Sequence, residues 1–130
     1  TLLVSCGGAV AKAPPTYTPE KLQLIETYAI PLKEAKEKMS TLKGFIDEEN
    51  WVDTRSFIHG PLGGLRKEMG TLSRSLLPND QKPAEGLAKD LFAHFEALDA
   101  AAQEKDASGV ANQYKAALKD LDSFLDLIPN

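Results

Sequence analysis

The sequence predicts an all-α fold, an antiparallel up-down-up-down four-helix bundle behind a flexible N-terminal tether. Three observations carry that expectation. Apolar residues recur at spacings of three and four along nearly the whole chain after residue 18, and no stretch alternates as a half-buried strand does. Capping and proline signals break the recurrence at three short connections, and short connections between long helices imply antiparallel neighbours. A chain of 130 residues, 42% hydrophobic and 26% charged, is long enough for one domain with its own core.

The first helix opens at Thr18-Pro19-Glu20, where a hydroxyl stands at the N-cap, proline at the first helical position and an acid in the first turn. Leu22, Ile25, Ala29, Leu32, Ala35, Met39, Leu42 and Ile46 form its apolar stripe. Pro31 lies inside it without an amide proton to donate, so a kink is expected near residues 27–31. Asn50 caps the second helix, whose stripe is Trp51, Ile58, Leu62, Leu65, Met69, Leu72 and Leu76 with Phe57 beside it. Gly60-Pro61 and Gly63-Gly64 interrupt that stripe and predict a bend, and Pro78 closes the helix.

Residues Asn79 to Lys82 read as a turn, and Pro83 as the start of a third helix carrying Leu87, Leu91, His94, Phe95, Leu98 and Ala102. The fourth starts at Asp106 or Ser108, carries Val110, Tyr114, Ala117, Leu121, Phe124 and Ile128, and ends before Pro129. Trp51, Leu62, Leu65, Met69, Leu91, Phe95, Leu121 and Phe124 are expected to be largely buried.

Ahead of the helices, Leu3-Val4-Ser5-Cys6 has the form of a bacterial lipobox. The small residue before Cys6 admits a signal peptidase, and the Cys6 thiol accepts a diacylglyceryl group. Residues 1–17 then divide into a signal-peptide remnant, the lipid-bearing Cys6 and a flexible linker from Gly7 to Tyr17, with the helical domain at 18–130. Cys6 is the one cysteine, so the chain has no internal disulfide. No apolar run reaches the roughly 18 residues that span a bilayer.

The formal net charge of -4 argues against nucleic-acid binding, which needs clustered cations to displace counterions. The charge is uneven. Residues 50–79 carry Arg55, Arg66, Lys67 and Arg74 against Asp53 and Glu68, whereas residues 80–130 carry five lysines against ten acids. All three arginines fall in the one segment, and arginine suits bidentate pairing with carboxylates. Arg55, Arg66, Lys67 and Arg74 are therefore the candidate partner-docking residues; the alternative is a solvated face paired with acids of neighbouring helices. At about 100° per residue, Arg55 and Arg66 point the same way within about 20° and flank the core stripe.

The residues offer little for catalysis or metal binding. His59 and His94 are the only histidines, and Ser56 and Leu91 stand three places before them where a di-iron bundle needs Glu. The Gly60–Gly64 stretch lacks the Lys-Ser/Thr of a phosphate loop. Asp90 and His94, one turn apart, are weak candidate metal ligands; a half-buried histidine donating to a carboxylate is the preferred reading of the pair. No cofactor is expected to bind directly, and a zinc at this pair would be adventitious.

The stretch from Trp51 to Pro78 resembles the second helix of the PsbQ family, through Trp51, Arg55, Gly60-Pro61-Leu62-Gly63, Leu65-Arg66, Met69 and Leu76. A looser likeness runs over residues 18–128, including Tyr114 to Leu118 and Asp120 to Phe124, and the lipobox matches the lipid-anchored cyanobacterial branch. The resemblance implies a non-catalytic extrinsic subunit on the lumenal face of photosystem II. It would be lipid-anchored to the thylakoid membrane, and would support the manganese–calcium cluster and the retention of calcium and chloride. The partners implied are the manganese-stabilising extrinsic subunit and the lumenal loops of the core antenna proteins. A lumenal or periplasmic four-helix lipoprotein, acting as an assembly factor or a metal-binding carrier, is the other reading.

Overall fold

The computed structural model describes residues 15–130, which form five α-helices and no strand: α1 (Pro19–Asp47), α2 (Trp51–His59), α3 (Leu65–Ser75), α4 (Pro78–Gln103) and α5 (Ala107–Leu127). The lipobox and Cys6 lie outside the described residues. Among the described residues no helix is long and apolar enough to cross a membrane.

α1 begins where its capping signal stands, with Thr18 Oγ1 accepting from the Lys21 amide at 3.1 Å. The helix runs through Pro31 as one element. Proline there leaves the Thr27 carbonyl without its helical donor, and Thr27 is on the solvent side, where water can serve it.

Two corners, after α1 and after α4, are built alike. Glu49 and Lys105 adopt left-handed backbone at φ 54° and 57°. The amides of Asn50 and Asp106 then reach back to the carbonyls of Phe45 and Ala101, each at 2.9 Å. Glycine is the usual residue at such a position, because a Cβ in the left-handed region crowds the following carbonyl. Asn50 and Asp106 next turn their side chains onto the amides of Asp53 and Gly109, so each corner also caps the helix that follows. Lys105→Gly is accordingly expected to raise stability by about 0.5–1 kcal/mol, seen as a rise of about 2–5 °C in Tm by calorimetry. An unchanged or lower Tm would show that the corner carries no strain.

The second helical segment differs from the expected single bent helix: it is two helices. α2 ends at His59, and residues 60–64 form a tight turn before α3. Pro61 has no amide to give to the Phe57 carbonyl, which instead accepts from Leu62 N–H at 3.1 Å, one residue out of helical register. Gly63 N–H closes onto the Gly60 carbonyl at 2.8 Å. A Cβ on Gly63 would run into the carbonyl oxygen of His59, so this turn needs glycine. Lys38 Nζ, from α1, donates to the Pro61 carbonyl and ties the turn down.

The third expected helix starts earlier than Pro83. α4 opens at Pro78, with proline at its first position and Leu77 extended before it, so the residues read as a turn are helical. Gln81 makes the sharp restart possible, since its Nε2 donates to the Leu76 carbonyl at 2.8 Å at the end of α3. Pro83 merely removes a bond to exposed Asn79.

The helices pack as a closed ring. α1 lies against α2 and α3, both of these lie against α4, α4 against α5, and α5 returns to α1. The contact between α4 and α5 is by far the most extensive, and buried Ala84, Ala102 and Ala117 let the two backbones approach closely. Leu32, Leu42, Met69, Leu72, Leu91, Leu98, Leu121 and Phe124 fill the centre. Tyr114 crosses from α5 to donate to the Met39 carbonyl at 2.8 Å, a buried bond that pins α5 to α1. Of the residues expected to be largely buried, Leu62, Leu65, Met69, Leu91, Phe95, Leu121 and Phe124 are buried. Trp51 is half-buried, because as the first residue of α2 it packs on the rim of the core.

Tyr17 stands before α1 and is also fastened. Its hydroxyl donates to Asp80 Oδ2 at 2.6 Å and accepts from the Leu77 amide at 3.0 Å. Partial burial, then the bond to Asp80, raise the phenol above its ordinary range, so it stays a donor.

Candidate functional site

The four cations of the second helical segment are put to different uses. Arg55 reaches from α2 to α4, where its Nε lies 3.0 Å from Asp99 Oδ1. His59, one turn on, places Nε2 3.2 Å from the other carboxylate oxygen. Burial opposes ionisation of Asp99, but the hydrogen bonds and charges of Arg55 and His59 outweigh it and hold its carboxyl below the ordinary range. A depressed carboxyl adds stability above its unfolded pKa and gives it up as pH falls through the folded value. Arg55 therefore braces α2 against α4.

Arg66 lies across the same seam, past the turn. Its guanidinium sits 4.7 Å over the Phe92 ring, and Nη2 is 3.7 Å from Glu96 Oε1. Its side chain is 69% exposed and that of Glu96 78%, so this pair is worth little and the guanidinium is open to competitors. The aromatic face beneath still holds it in place, worth about 0.5–1 kcal/mol at an exposed site. Lys67 and Arg74 are exposed on α3. Lys67 borders a shallow hollow with Tyr28 and Pro31 of α1. Arg55 and Arg66 thus meet α4 along one seam, with Asp99 and Glu96 as their partners, whereas Lys67 and Arg74 do not join them.

His94 does not turn to Asp90. Its Nδ1 lies 2.5 Å from Asp120 Oδ2 on α5, and Asp90 stays exposed on α4. Helical spacing within α4 offered only Asp90; the partner comes from a helix 26 residues on, which periodicity does not register to the single residue. Among the described residues no three His, Cys, Asp or Glu side chains gather in a metal-binding group. Ser73 was not singled out by the sequence: it is buried in α3 at 1% exposure, and its hydroxyl has no hydrogen-bond partner.

What distinguishes this surface is a cationic arm on an acidic all-helical protein, the equipment of an interaction module. Comparison with known proteins agrees. The model of the PsbQ family, oxygen evolving enhancer protein 3, matches residues 5–129. CyanoQ of Synechocystis sp. PCC 6803 is 48% identical over 130 residues, covering 99% of this chain and 87% of that protein. The chain belongs to the PsbQ family, and membership associates it with photosystem II as an extrinsic subunit.

Proposed function

We propose that this chain is a non-catalytic subunit on the lumenal face of photosystem II, held at the thylakoid membrane by lipid on Cys6. It docks through the arm formed by α2 and α3, and supports the oxygen-evolving manganese–calcium cluster by helping to retain calcium and chloride. The manganese-stabilising extrinsic subunit and the lumenal loops of the core antenna proteins are the partners in this reading. Its domain is residues 18–130, with 1–17 as leader remnant, lipid site and linker. The five helices act as four arms of an antiparallel up-down-up-down bundle, α2 and α3 together making the second, and the closed ring of contacts supports this.

The observation that carries the docking reading is Arg66, exposed and pre-placed over Phe92 with only a loose internal partner. A cation so held orients an approaching acidic surface without first losing its own freedom. Arg66→Glu is expected to weaken binding to salt-washed photosystem II particles about tenfold at low salt, with the difference shrinking as salt rises. Its Tm should stay within about 2 °C of the parent, because exposed pairs contribute little. Arg55→Ala should instead lower the Tm, since it strips Asp99 of its main partner. Equal binding of Arg66→Glu and parent at every salt concentration would remove the docking reading.

A further inference from the structure

Beside Arg66, a groove of about 410 Å³ runs between α3 and α4. Gly70 and Ser73 line it from α3, and Lys89 and Phe92 from α4. Two of these residues are poor choices for the fold alone. Gly70 lies inside a helix, where glycine is about 1 kcal/mol worse than alanine. Its backbone gives no reason for glycine, since no glycine among the described residues has positive φ. A Cβ there would meet only the flexible end of Arg74, at 3.2 Å. Ser73 buries a hydroxyl with no partner, where alanine would leave nothing unsatisfied. Locally unfavourable residues that converge on one cavity mark a place selected for something other than stability.

The cavity also has a defined chemistry. Arg66 and Lys89 supply cations from opposite walls, Phe92 an aromatic face, and Ser73 an unused donor at the floor. Glu85 and Glu96 line the same groove, and Glu96 holds Arg66 only at 3.7 Å. An incoming carboxylate can take Arg66 over at small cost.

On the docking reading given above, we infer that this groove receives a short acidic segment of a photosystem II partner protein. One carboxylate of that segment sits between Arg66 and Lys89 and accepts from the Ser73 hydroxyl. The apolar residue beside it lies over Gly70 against Phe92. Reaching Ser73 takes a rotamer change of the long side chains around it, the ordinary scale of rearrangement on binding. Gly70 is the floor that lets the partner backbone come close, and Ser73 gains its bond only in the complex.

The test exploits the mismatch between stability and docking. The full chain and its variants are bound to photosystem II particles washed free of extrinsic subunits, and the Tm of each is measured. Gly70→Leu plugs the groove while improving the helix; binding should fall at least about tenfold with the Tm unchanged or higher. Ser73→Ala removes the donor; binding should fall about three- to tenfold, again with no loss of Tm. Acetylation of lysines in the complex should spare Lys89 and still modify Lys119 on α5. If both variants bind as the parent does while Arg66→Glu is impaired, the groove is not the seat of docking, though the arm still is. If Arg66→Glu also binds normally, the docking reading itself fails. A fall in the Tm of Ser73→Ala would assign Ser73 to the fold and overturn the inference.

Discussion

Phe95→Ala is expected to destabilise the protein by about 3–5 kcal/mol, the range for removing a buried aromatic ring. Phe95 lies on α4 at 4% exposure, within 6.1 Å of the Phe92 ring, and shares a hollow with Ile58 and Leu62 at the turn that joins α2 and α3. Those neighbours sit on α4 itself, on α2 and in the turn after α2, so they cannot collapse together into the space. The loss is a large part of the roughly 5–15 kcal/mol that holds a domain of this kind together. Denaturant unfolding checks it. A loss below about 1 kcal/mol would mean that this side of α4 faces water and that the seam with α2 and α3 is misplaced.

Cys6→Ser is expected to move nearly all of the protein from thylakoid membranes into the soluble fraction, or to stop its processing. Two or more acyl chains anchor stably, at about 0.8 kcal/mol for each buried CH2, and the variant has none. The contacts left to it are those of the docking arm, which a high-salt wash screens. The measurement is the share of protein on washed membranes. Retention equal to the parent would count against lipid on Cys6 and return the Leu3-Val4-Ser5 stretch to coincidence.

Much of this fold was legible because its signals are local. Thr18, Asn50 and Asp106 each start a helix with a side chain that satisfies an amide three residues on. The stripe from Ile25 to Ile46 is buried as its spacing requires. The misreadings occur where a single side chain or carbonyl, and not the apolar stripe, decides the outcome. Pro78 looked like a stop, and it is equally a start, because Gln81 folds back onto the end of α3. The Gly60–Gly64 stretch looked like a bend in one helix; the register slip at Phe57 makes it an end and a new beginning. The arginines were found by composition, but their division of labour was not. Only the positions of Asp99 and Glu96 on α4 show that Arg55 is engaged by a close, partly buried carboxylate and that Arg66 has only a loose, exposed one. Ser73 escaped because a serine within an apolar stripe carries no sign, in sequence, of whether its hydroxyl has a partner.

The uneven strength of the ring has a consequence for how the molecule is made. The α4–α5 pair joins residues adjacent along the chain through a short corner and holds the most extensive contact, so loop closure there is cheap and well rewarded. This hairpin is the natural nucleus for folding. It also comes after α1, α2 and α3 along the chain, since it is complete only when Leu127 has been added. Until then α1, α2 and α3 have half a ring and no wall to close against. A chain built this way stays loose while only its first three helices are present, and locks when the α4–α5 pair supplies the surface on which they settle.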